Sequence, residues 1–182
     1  EGERVLCFGY VREPLEAIVR PNAVPLAFIR ISDPVREEAA ETLAFFKREG
    51  VAVKILSGDN PVTVSAVARK AGVDGYEHYV DLSLFATEAE IYKAAEKYTV
   101  FGRVLPAQKC TLVQALQAQG HTVAMTGDGV NDVLALRQAD CGIAIGSGSD
   151  AARQVSGLVL TDSNFDALPH ILFEGRRVVN NI

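Results

Sequence analysis

The sequence predicts an α/β fold of the doubly wound class, with a mostly parallel sheet. From Val24 onward, short continuous apolar runs alternate with amphipathic helical stretches. Continuous apolar runs are typical of strands that helices cover on both faces, as in a parallel sheet. In sheets of this class, ligands bind at the carboxyl ends of the strands. A functional site is therefore expected at those ends.

The predicted elements follow one another in regular order. The first helix covers residues 35–48, with Asp33 as its N-cap, Pro34 as its first helical residue and Gly50 beyond its end. The other predicted helices begin at Pro61, Thr87, Pro106 and Val130 and end near Gly72, Lys97, Gly120 and Ala139. The other predicted strands are 51–56, 98–104, 121–125, 141–145 and 157–160. At Thr87 the start signal is a capping box with Glu90.

The first thirty residues follow a different pattern. Residues 4–11 and 24–31 read as two strands joined by a loop that contains proline, with no helix between them. We interpret them as an antiparallel pair from a neighbouring domain, with the boundary near Asp33. The alternative is a β-hairpin at the edge of the same domain.

Composition excludes some classes of function. The formal net charge is −5 and no basic stripe offsets it, which argues against nucleic acid as a partner. Three separated cysteines, Cys7, Cys110 and Cys141, have no metal-ligand spacing and indicate buried thiols in a reducing compartment. The 182 residues contain no apolar run long enough to span a bilayer, which does not exclude a membrane-bound parent.

The most informative stretch is residues 126–132, Thr-Gly-Asp-Gly-Val-Asn-Asp. Its two carboxylates, Asp128 and Asp132, are four residues apart where a predicted strand passes into a helix. Backbone N–H groups and the helix dipole at such a junction suit a phosphate, and paired carboxylates suit Mg²⁺. The alternative is a glycine-rich turn with a capping aspartate.

Three further groups fall at strand-to-helix junctions on the same predicted edge. Ser57-Gly58-Asp59 follows a strand, Arg103 ends another, and Lys109 lies in the first turn of a helix. A hydroxyl, a glycine of close approach and two cations are suited to phosphate and nucleotide. Taken singly, the Ser57 stretch fits an N-cap equally well, Arg103 fits an exposed strand end, and Lys109 is more typical of a surface lysine. Their shared position with Asp128 favours the functional interpretation.

The string from Thr126 to Asp132 resembles the hinge motif of the P-type cation-transporting ATPases, members of the haloacid dehalogenase superfamily. The resemblance continues over nearly the whole chain. The other similar stretches are Asp33-Pro34-Val35-Arg36, Ser57-Gly58-Asp59 with Ser in place of Thr, 101–109, 145–149, 162–165 and 174–182.

The resemblance implies a haloacid dehalogenase-like fold in a parent that couples ATP hydrolysis to cation transport. It implies that residues 1–32 end the nucleotide-binding domain and that residues 33–182 belong to the phosphorylation domain, which lies on the cytoplasmic side of a membrane protein and ends at the start of a membrane helix. Mg²⁺ and ATP are the implied cofactors, and ATP, the transported cation and the missing parts of the pump are the implied partners. The implied roles are metal ligands (Asp128, Asp132), phosphate contacts (Lys109, Ser57, Gly58), orienting residues (Asp59, Asn131), a nucleotide contact (Arg103) and an interdomain hinge (Asp33, Arg36).

One departure from the family pattern is decisive for activity. The phosphorylated aspartate of the motif Asp-Lys-Thr-Gly-Thr is absent from the 182 residues. The resemblance therefore implies a chain that begins inside the inserted nucleotide-binding domain and lacks the nucleophile with its central strand. We expect such a fragment to be inactive alone. Its sheet either has a gap where the central strand belongs, or another segment occupies that place.

Two alternatives remain open from the sequence. A stand-alone phosphatase of the same superfamily would use Asp33 as nucleophile, but Val35 stands where its second acid or threonine belongs. A non-catalytic regulatory domain would not need Asp128, Asp132 and Lys109. For the ion, residues 162–165 are more similar to calcium, sodium and proton pumps than to soft-metal exporters, and calcium is preferred.

Overall fold

The computed structural model describes residues 4–10, 23–31, 35–162 and 164–182. The chain divides into two compact units, residues 1–34 and residues 35–182. The predicted boundary residue Asp33 and the neighbouring Pro34 lie outside the described residues.

The first unit contains two antiparallel strands, β1 (Arg4–Tyr10) and β2 (Val24–Ile31). Cys7 lies opposite Phe28, and the register shifts between Phe8 and Gly9. The predicted strand pair is thereby confirmed, whereas its assignment to a neighbouring domain stays a prediction. Large apolar side chains of both strands are exposed, among them Phe8 and Phe28.

The second unit alternates strands and helices. Its strands are β3 (Ile55–Leu56), β4 (Tyr79–Asp81), β5 (Val100–Gly102), β6 (Ala124–Gly127), β7 (Cys141–Ile145) and β8 (Leu158–Leu160). Its helices are α1 (Ala39–Arg48), α2 (Pro61–Ala71), α3 (Glu88–Lys97), α4 (Pro106–Ala118), α5 (Val133–Gln138), α6 (Asp150–Val155) and α7 (Ala167–Asn181). Short 3₁₀ turns cover Leu82–Leu84 and Val130–Asp132.

The strands form two parallel sheets of three strands each, in the orders β3-β5-β4 and β6-β7-β8. The predicted α/β class with parallel strands is confirmed, but the sheet is divided. Among the described residues, β3 pairs only with β5, and β6 pairs only with β7. The edge strands are β3 and β4 in the first sheet and β6 and β8 in the second.

Helices cover the first sheet on both faces. On one face Val100 packs in a cluster with Val64 and Ala68 of α2. On the other face Phe101 packs with residues of α3 and α4, including Ile91 and Leu112. Successive strand residues point to opposite faces, and both Val100 and Phe101 are fully buried.

The second sheet is covered in the same way. One face carries Met125 and Ala144, which cluster with α5, α6 and Val113 of α4. The other face carries Ile143, which clusters with Leu168 of α7 and with α1. Helix α4 therefore packs against the cores of both sheets.

Several predicted element boundaries were wrong. The helix predicted over 35–48 begins at Ala39, with Glu38 as an N-cap that makes no side-chain capping hydrogen bond. The strand predicted over 51–56 is reduced to Ile55–Leu56, because its partner β5 is itself only three residues long. Strand β4 was not predicted.

Other predicted boundaries agree closely. Helix α2 begins at Pro61, helix α4 begins at Pro106, and the capping box between Thr87 and Glu90 is formed. The helix predicted from Val130 starts as a 3₁₀ turn before α5. Within the described ranges, no helix has both the length and the apolar character that crossing a bilayer requires.

Candidate phosphate and metal site

The loop after β6 carries the first group of candidate residues. Asp128 is exposed at the carboxyl end of this strand. Its backbone carbonyl accepts a hydrogen bond from the Ser149 N–H at 2.7 Å, and a Cβ on Gly148 would lie 2.5 Å from the same oxygen. The loop after β7 therefore fixes the backbone of Asp128 and leaves its carboxylate towards solvent.

Asp132 is held much more tightly than Asp128. One carboxylate oxygen accepts a hydrogen bond from Lys109 Nζ at 2.6 Å, and the other accepts from the Gly129 N–H at 3.2 Å. A Cβ on Gly127 would lie 2.5 Å from Asp132 Cβ, so this position requires glycine. The two bonds of Asp132 close the loop that carries Asp128 and attach the Lys109 ammonium to the end of this loop.

The second group lies in the loop between β3 and α2. The Ser57 hydroxyl oxygen accepts a hydrogen bond from the Asp59 N–H at 3.1 Å. Asn60 is the N-cap of α2, and its side-chain oxygen accepts from the Val62 N–H at 3.0 Å. The N-cap interpretation of this stretch thus applies to Asn60. No atom lies within 4 Å of a Cβ built on Gly58, so nothing in the described structure requires glycine there.

The turn after β5 is attached to that loop. The Arg103 N–H donates to the Asp59 carbonyl at 2.8 Å, and the Val104 N–H donates to the Ser57 carbonyl at 3.0 Å. A Cβ on Gly102 would lie 2.5 Å from the backbone of Pro61. This close approach fixes Arg103 relative to the Ser57–Asp59 loop.

Sequence reasoning missed Asp81, which ends β4 on the same edge. One of its oxygens lies 3.2 Å from Arg103 Nη1, and the other accepts from the Ser83 hydroxyl at 2.6 Å and the Ser83 N–H at 3.0 Å. The hydrogen bond from the Ser83 hydroxyl, with smaller contributions from the Ser83 N–H and Arg103, lowers the pKa of Asp81. The sequence offered no signal for it, because the three-residue strand β4 is too short to be recognised from its pattern.

The predicted residues therefore fall into two groups at the carboxyl ends of the two sheets. Helix α4 connects them, because it begins three residues after Arg103 and carries Lys109 in its first turn. Asn131 and Arg36 are exposed, Asp59 is half-buried, and the predicted hinge residue Asp33 lies outside the described residues.

The donor set fits a hard cation bound with a phosphate. The described part of the chain contains no cluster of three or more His, Cys, Asp or Glu side chains that could hold a metal ion. Mg²⁺ is commonly bound by one or two carboxylates together with substrate phosphates and water. The exposed Asp128 carboxylate fits that mode, whereas a site made entirely of protein side chains does not.

Comparison with known proteins identifies the family and supports the fold. A model of the haloacid dehalogenase-like hydrolase family matches residues 5–140. One solved structure aligns with a TM-score of 0.57 and 21% identity. Its title describes conformational changes in the catalytic domain of the CPx-ATPase CopB-B upon nucleotide binding. The alignment covers 83% of this chain and 50% of that one, and it supports the fold.

Curated relatives match the chain over most or all of its length. The probable cation-transporting ATPase exp7 of Streptococcus pneumoniae is 52% identical over 100% of this chain and 24% of its own length. The calcium-transporting ATPase CtpE of Mycolicibacterium smegmatis is 46% identical over 100% of the chain and 23% of its length. The magnesium-transporting ATPase, P-type 1, of Salmonella typhimurium is 39% identical over 82% of the chain and 17% of its length.

The chain spans about a quarter of the first two relatives. A family model matches well over half of its residues, and the structure has the parallel α/β architecture with polar groups at the carboxyl ends of the strands. The chain therefore belongs to the haloacid dehalogenase-like hydrolases, and along its whole length it is similar to their cation-transporting ATPase branch.

Proposed function

We propose that this chain is the phosphorylation-domain part of an ATP-driven cation pump. The observation that carries the proposal is the loop after β6, where Asp132 pairs with Lys109 and binds the Gly129 N–H next to the exposed residue Asp128. A fixed cation next to a carboxylate at the carboxyl edge of a parallel sheet is suited to phosphoryl transfer. The whole-length similarity to cation-transporting ATPases supports the same conclusion.

In this proposal Asp128 is the protein ligand of Mg²⁺. Its backbone is fixed through Ser149, so its side chain leaves the loop at a defined point. When bound, Mg²⁺ would supply positive charge against the phosphate oxygens. Asn131, which is exposed in the following turn, would help to orient this cluster of metal- and phosphate-binding residues.

Lys109 would bind the transferring phosphoryl group as a point charge. An ammonium group has three donors, and the hydrogen bond to Asp132 uses one of them. Because Asp132 binds both Lys109 and the Gly129 N–H, we assign Asp132 in this proposal to positioning Lys109. Direct ligation of Mg²⁺ by Asp132, which the sequence also predicts, stays a prediction.

The loop after β3 would bind the other side of the phosphate. Ser57 offers a hydroxyl, and Gly58 lets the backbone approach closely because no side chain stands there. Asp59 would orient this loop, which is bonded to the turn at Arg103. Arg103 would extend towards the nucleotide, and Arg36 with Asp33 would belong to the hinge.

The nucleophile of this proposal is an aspartate outside the 182 residues, on a strand that would pair with both β3 and β6. Among the four edge strands of the two parallel sheets in the described residues, β3 and β6 are the two whose carboxyl ends lead to Ser57 and Asp128. A parallel strand bonded to both edges would end between these groups. The motif Asp-Lys-Thr-Gly-Thr, absent here, would supply it from elsewhere in a longer protein.

For the transported ion we propose calcium, and for location the cytoplasmic face of a membrane. The 46%-identical relative is named a calcium-transporting ATPase, although the 39%-identical one is named magnesium-transporting. Ion uptake into vesicles that contain the longer protein tests this: ATP-dependent accumulation of Ca²⁺ supports it, and accumulation of Mg²⁺ alone contradicts it.

Phosphoenzyme formation tests the catalytic part of the proposal. The longer protein is incubated with γ-labelled ATP and Mg²⁺ and then quenched with acid, and the acid-stable label is expected to be released by hydroxylamine, as an acyl phosphate is. Asp128→Asn and Lys109→Ala should each reduce the label. Asp74→Asn, which breaks an exposed ion pair with Lys47, is the matched control. Wild-type protein without label would refute the proposal and favour a non-catalytic domain.

A further inference from the structure

The ion pair between Asp81 and Arg103 is built differently from an ordinary surface pair. Asp81 is 18% exposed and Arg103 is 52% exposed, whereas both partners of the Lys47–Asp74 pair are more than 60% exposed. The second oxygen of Asp81 accepts two hydrogen bonds from Ser83. The carboxylate that faces Arg103 is therefore fixed in orientation before the arginine binds it.

The backbone of Arg103 is also unusual. Its φ is 51°, and among the described residues it is the one non-glycine with a positive φ. A side chain in the left-handed region is disfavoured, and such residues persist where the surroundings hold them. Here the Arg103 N–H donates to the Asp59 carbonyl at 2.8 Å, and Gly102 lies against Pro61.

The ion pair and the turn both constrain the side chain of Arg103. The turn fixes where the Arg103 side chain leaves the backbone, and Asp81 fixes where its guanidinium ends. We propose that Asp81 is a positioning residue that holds the Arg103 guanidinium at the carboxyl edge of the first sheet, ready to bind a nucleoside triphosphate next to the Ser57–Asp59 loop. This inference rests on the proposed function, because it takes Arg103 as a nucleotide contact.

A double-mutant cycle in the longer protein tests the inference. The ATP concentration that gives half-maximal phosphoenzyme is measured for wild type, Asp81→Asn, Arg103→Ala and the double variant. Asp81→Asn should raise that concentration about two- to fivefold, the size expected for a partly exposed ion pair, and leave the maximal level unchanged. In the Arg103→Ala background the same substitution should have no further effect, because the arginine that it positions is gone.

The outcomes separate this inference from the proposed function. Wild-type protein without phosphoenzyme counts against the proposed function itself. Normal phosphoenzyme with an equal effect of Asp81→Asn in both backgrounds overturns the positioning role. A lower half-maximal ATP concentration in Asp81→Asn also overturns it, because Asp81 would then compete with the nucleotide for Arg103. Asp74→Asn should change neither quantity.

A second measurement uses the 182-residue chain and does not depend on activity. The Nε–Hε NMR signal of Arg103 reports whether its guanidinium is held. Asp81→Asn and Ser83→Ala should both shift this signal and speed its exchange with water, whereas Asp74→Asn should not. An unchanged signal in Asp81→Asn would show that the arginine is not positioned by this carboxylate.

Discussion

Lys109 and Asp132 form an ion pair of 2.6 Å that is almost excluded from water, with side-chain exposures of 13% and 9%. The pair joins the first turn of α4 to the 3₁₀ turn after β6. When one member of a buried pair is removed, the other is left as an uncompensated charge. The same contact therefore contributes to folding and, in the proposed mechanism, to the position of the phosphate-binding cation.

Lys109→Ala should consequently have two effects. It should lower the free energy of unfolding by about 3 kcal/mol, since Asp132 loses its charged partner. In the longer protein it should lower phosphoenzyme formation about ten- to a thousandfold. Denaturant unfolding of the chain and acid-quench labelling measure the two effects. Lys47→Ala, at an exposed pair, should change stability by less than about 0.5 kcal/mol. Normal phosphoenzyme in Lys109→Ala would exclude the role.

Lys109→Arg separates charge from shape. The planar guanidinium keeps the positive charge but not the compact ammonium, so phosphoenzyme formation should still be impaired. The same acid-quench assay measures it. Full activity of this variant would show that charge alone suffices at this position.

Asp128→Asn and Asp132→Asn should differ in character. Asp128 is exposed, so its substitution should leave stability nearly unchanged and remove most of the weak Mg²⁺ binding expected of the chain. Asp132 is buried and paired, so its substitution should lower stability. NMR titration with Mg²⁺ and denaturant unfolding measure both variants. Equal Mg²⁺ affinities of wild type and Asp128→Asn would remove Asp128 from the metal site.

Two glycines near the Ser57–Asp59 loop provide a matched comparison. A Cβ at Gly102 would lie 2.5 Å from the Pro61 backbone, so Gly102→Ala should destabilise the chain by about 1–3 kcal/mol. A Cβ at Gly58 meets nothing within 4 Å, so Gly58→Ala should change stability by less than about 0.5 kcal/mol. If a phosphate approaches Gly58 closely, the same variant should still lower phosphoenzyme formation in the longer protein. Unchanged labelling would contradict the phosphate contact.

The capping box of α3 should make stability depend on acid pH. Hydrogen bonds from the backbone N–H groups of Thr87 and Ala86 lower the pKa of Glu90. A carboxyl whose pKa is lower in the folded state stabilises the fold above its unfolded pKa of about 4.3, and this contribution is lost as the pH falls through the folded pKa. Wild type should thus be more stable than Glu90→Gln at pH 7, with the difference disappearing on acidification.

Denaturant midpoints between pH 3 and pH 7 measure this difference. Glu88→Gln removes a carboxylate from the same turn but leaves the capping hydrogen bonds, and serves as the control. A difference between wild type and Glu90→Gln that stays constant over this range would contradict the capping contribution.

The 182-residue chain alone should neither hydrolyse ATP nor become phosphorylated. In the proposed mechanism Asp128 binds the metal and Asp132 binds Lys109, so neither is placed as an in-line nucleophile. Incubation with γ-labelled ATP and Mg²⁺, followed by acid quench, measures this. A peptide containing Asp-Lys-Thr-Gly-Thr is expected to restore labelling by adding a strand. Stoichiometric label on the chain alone, lost in Asp33→Asn, would instead support a phosphatase.

Local signals explain which parts of the fold were predictable. Pro61, Pro106 and the Thr87 capping box act on their own helices, and those helices begin where the sequence indicates. Strand length depends on the partner, so the apolar run 51–56 forms only a two-residue strand. The three-residue strand β4 is too short to show a periodic pattern.

The candidate site shows the same limit. Motif and position predicted that Lys109 and Asp128 lie at one edge, and the structure places Lys109 next to the Asp128 loop through Asp132. The pairing of Arg103 with Asp81 was not predictable, because it joins residues 22 positions apart through the left-handed turn at Arg103.

Helix α4 has a consequence for how the second unit unfolds. Its neighbouring residues Leu112 and Val113 belong to the cores of different sheets. Backbone ladders within the described residues do not connect these sheets, so helix side chains link them, those of α4 together with Leu43 and Phe46 of α1. Each sheet with its own helices is a candidate cooperative folding unit, and α4 is common to both. Unfolding of either half removes the packing partners on one side of α4, so the stability of each half depends on the other.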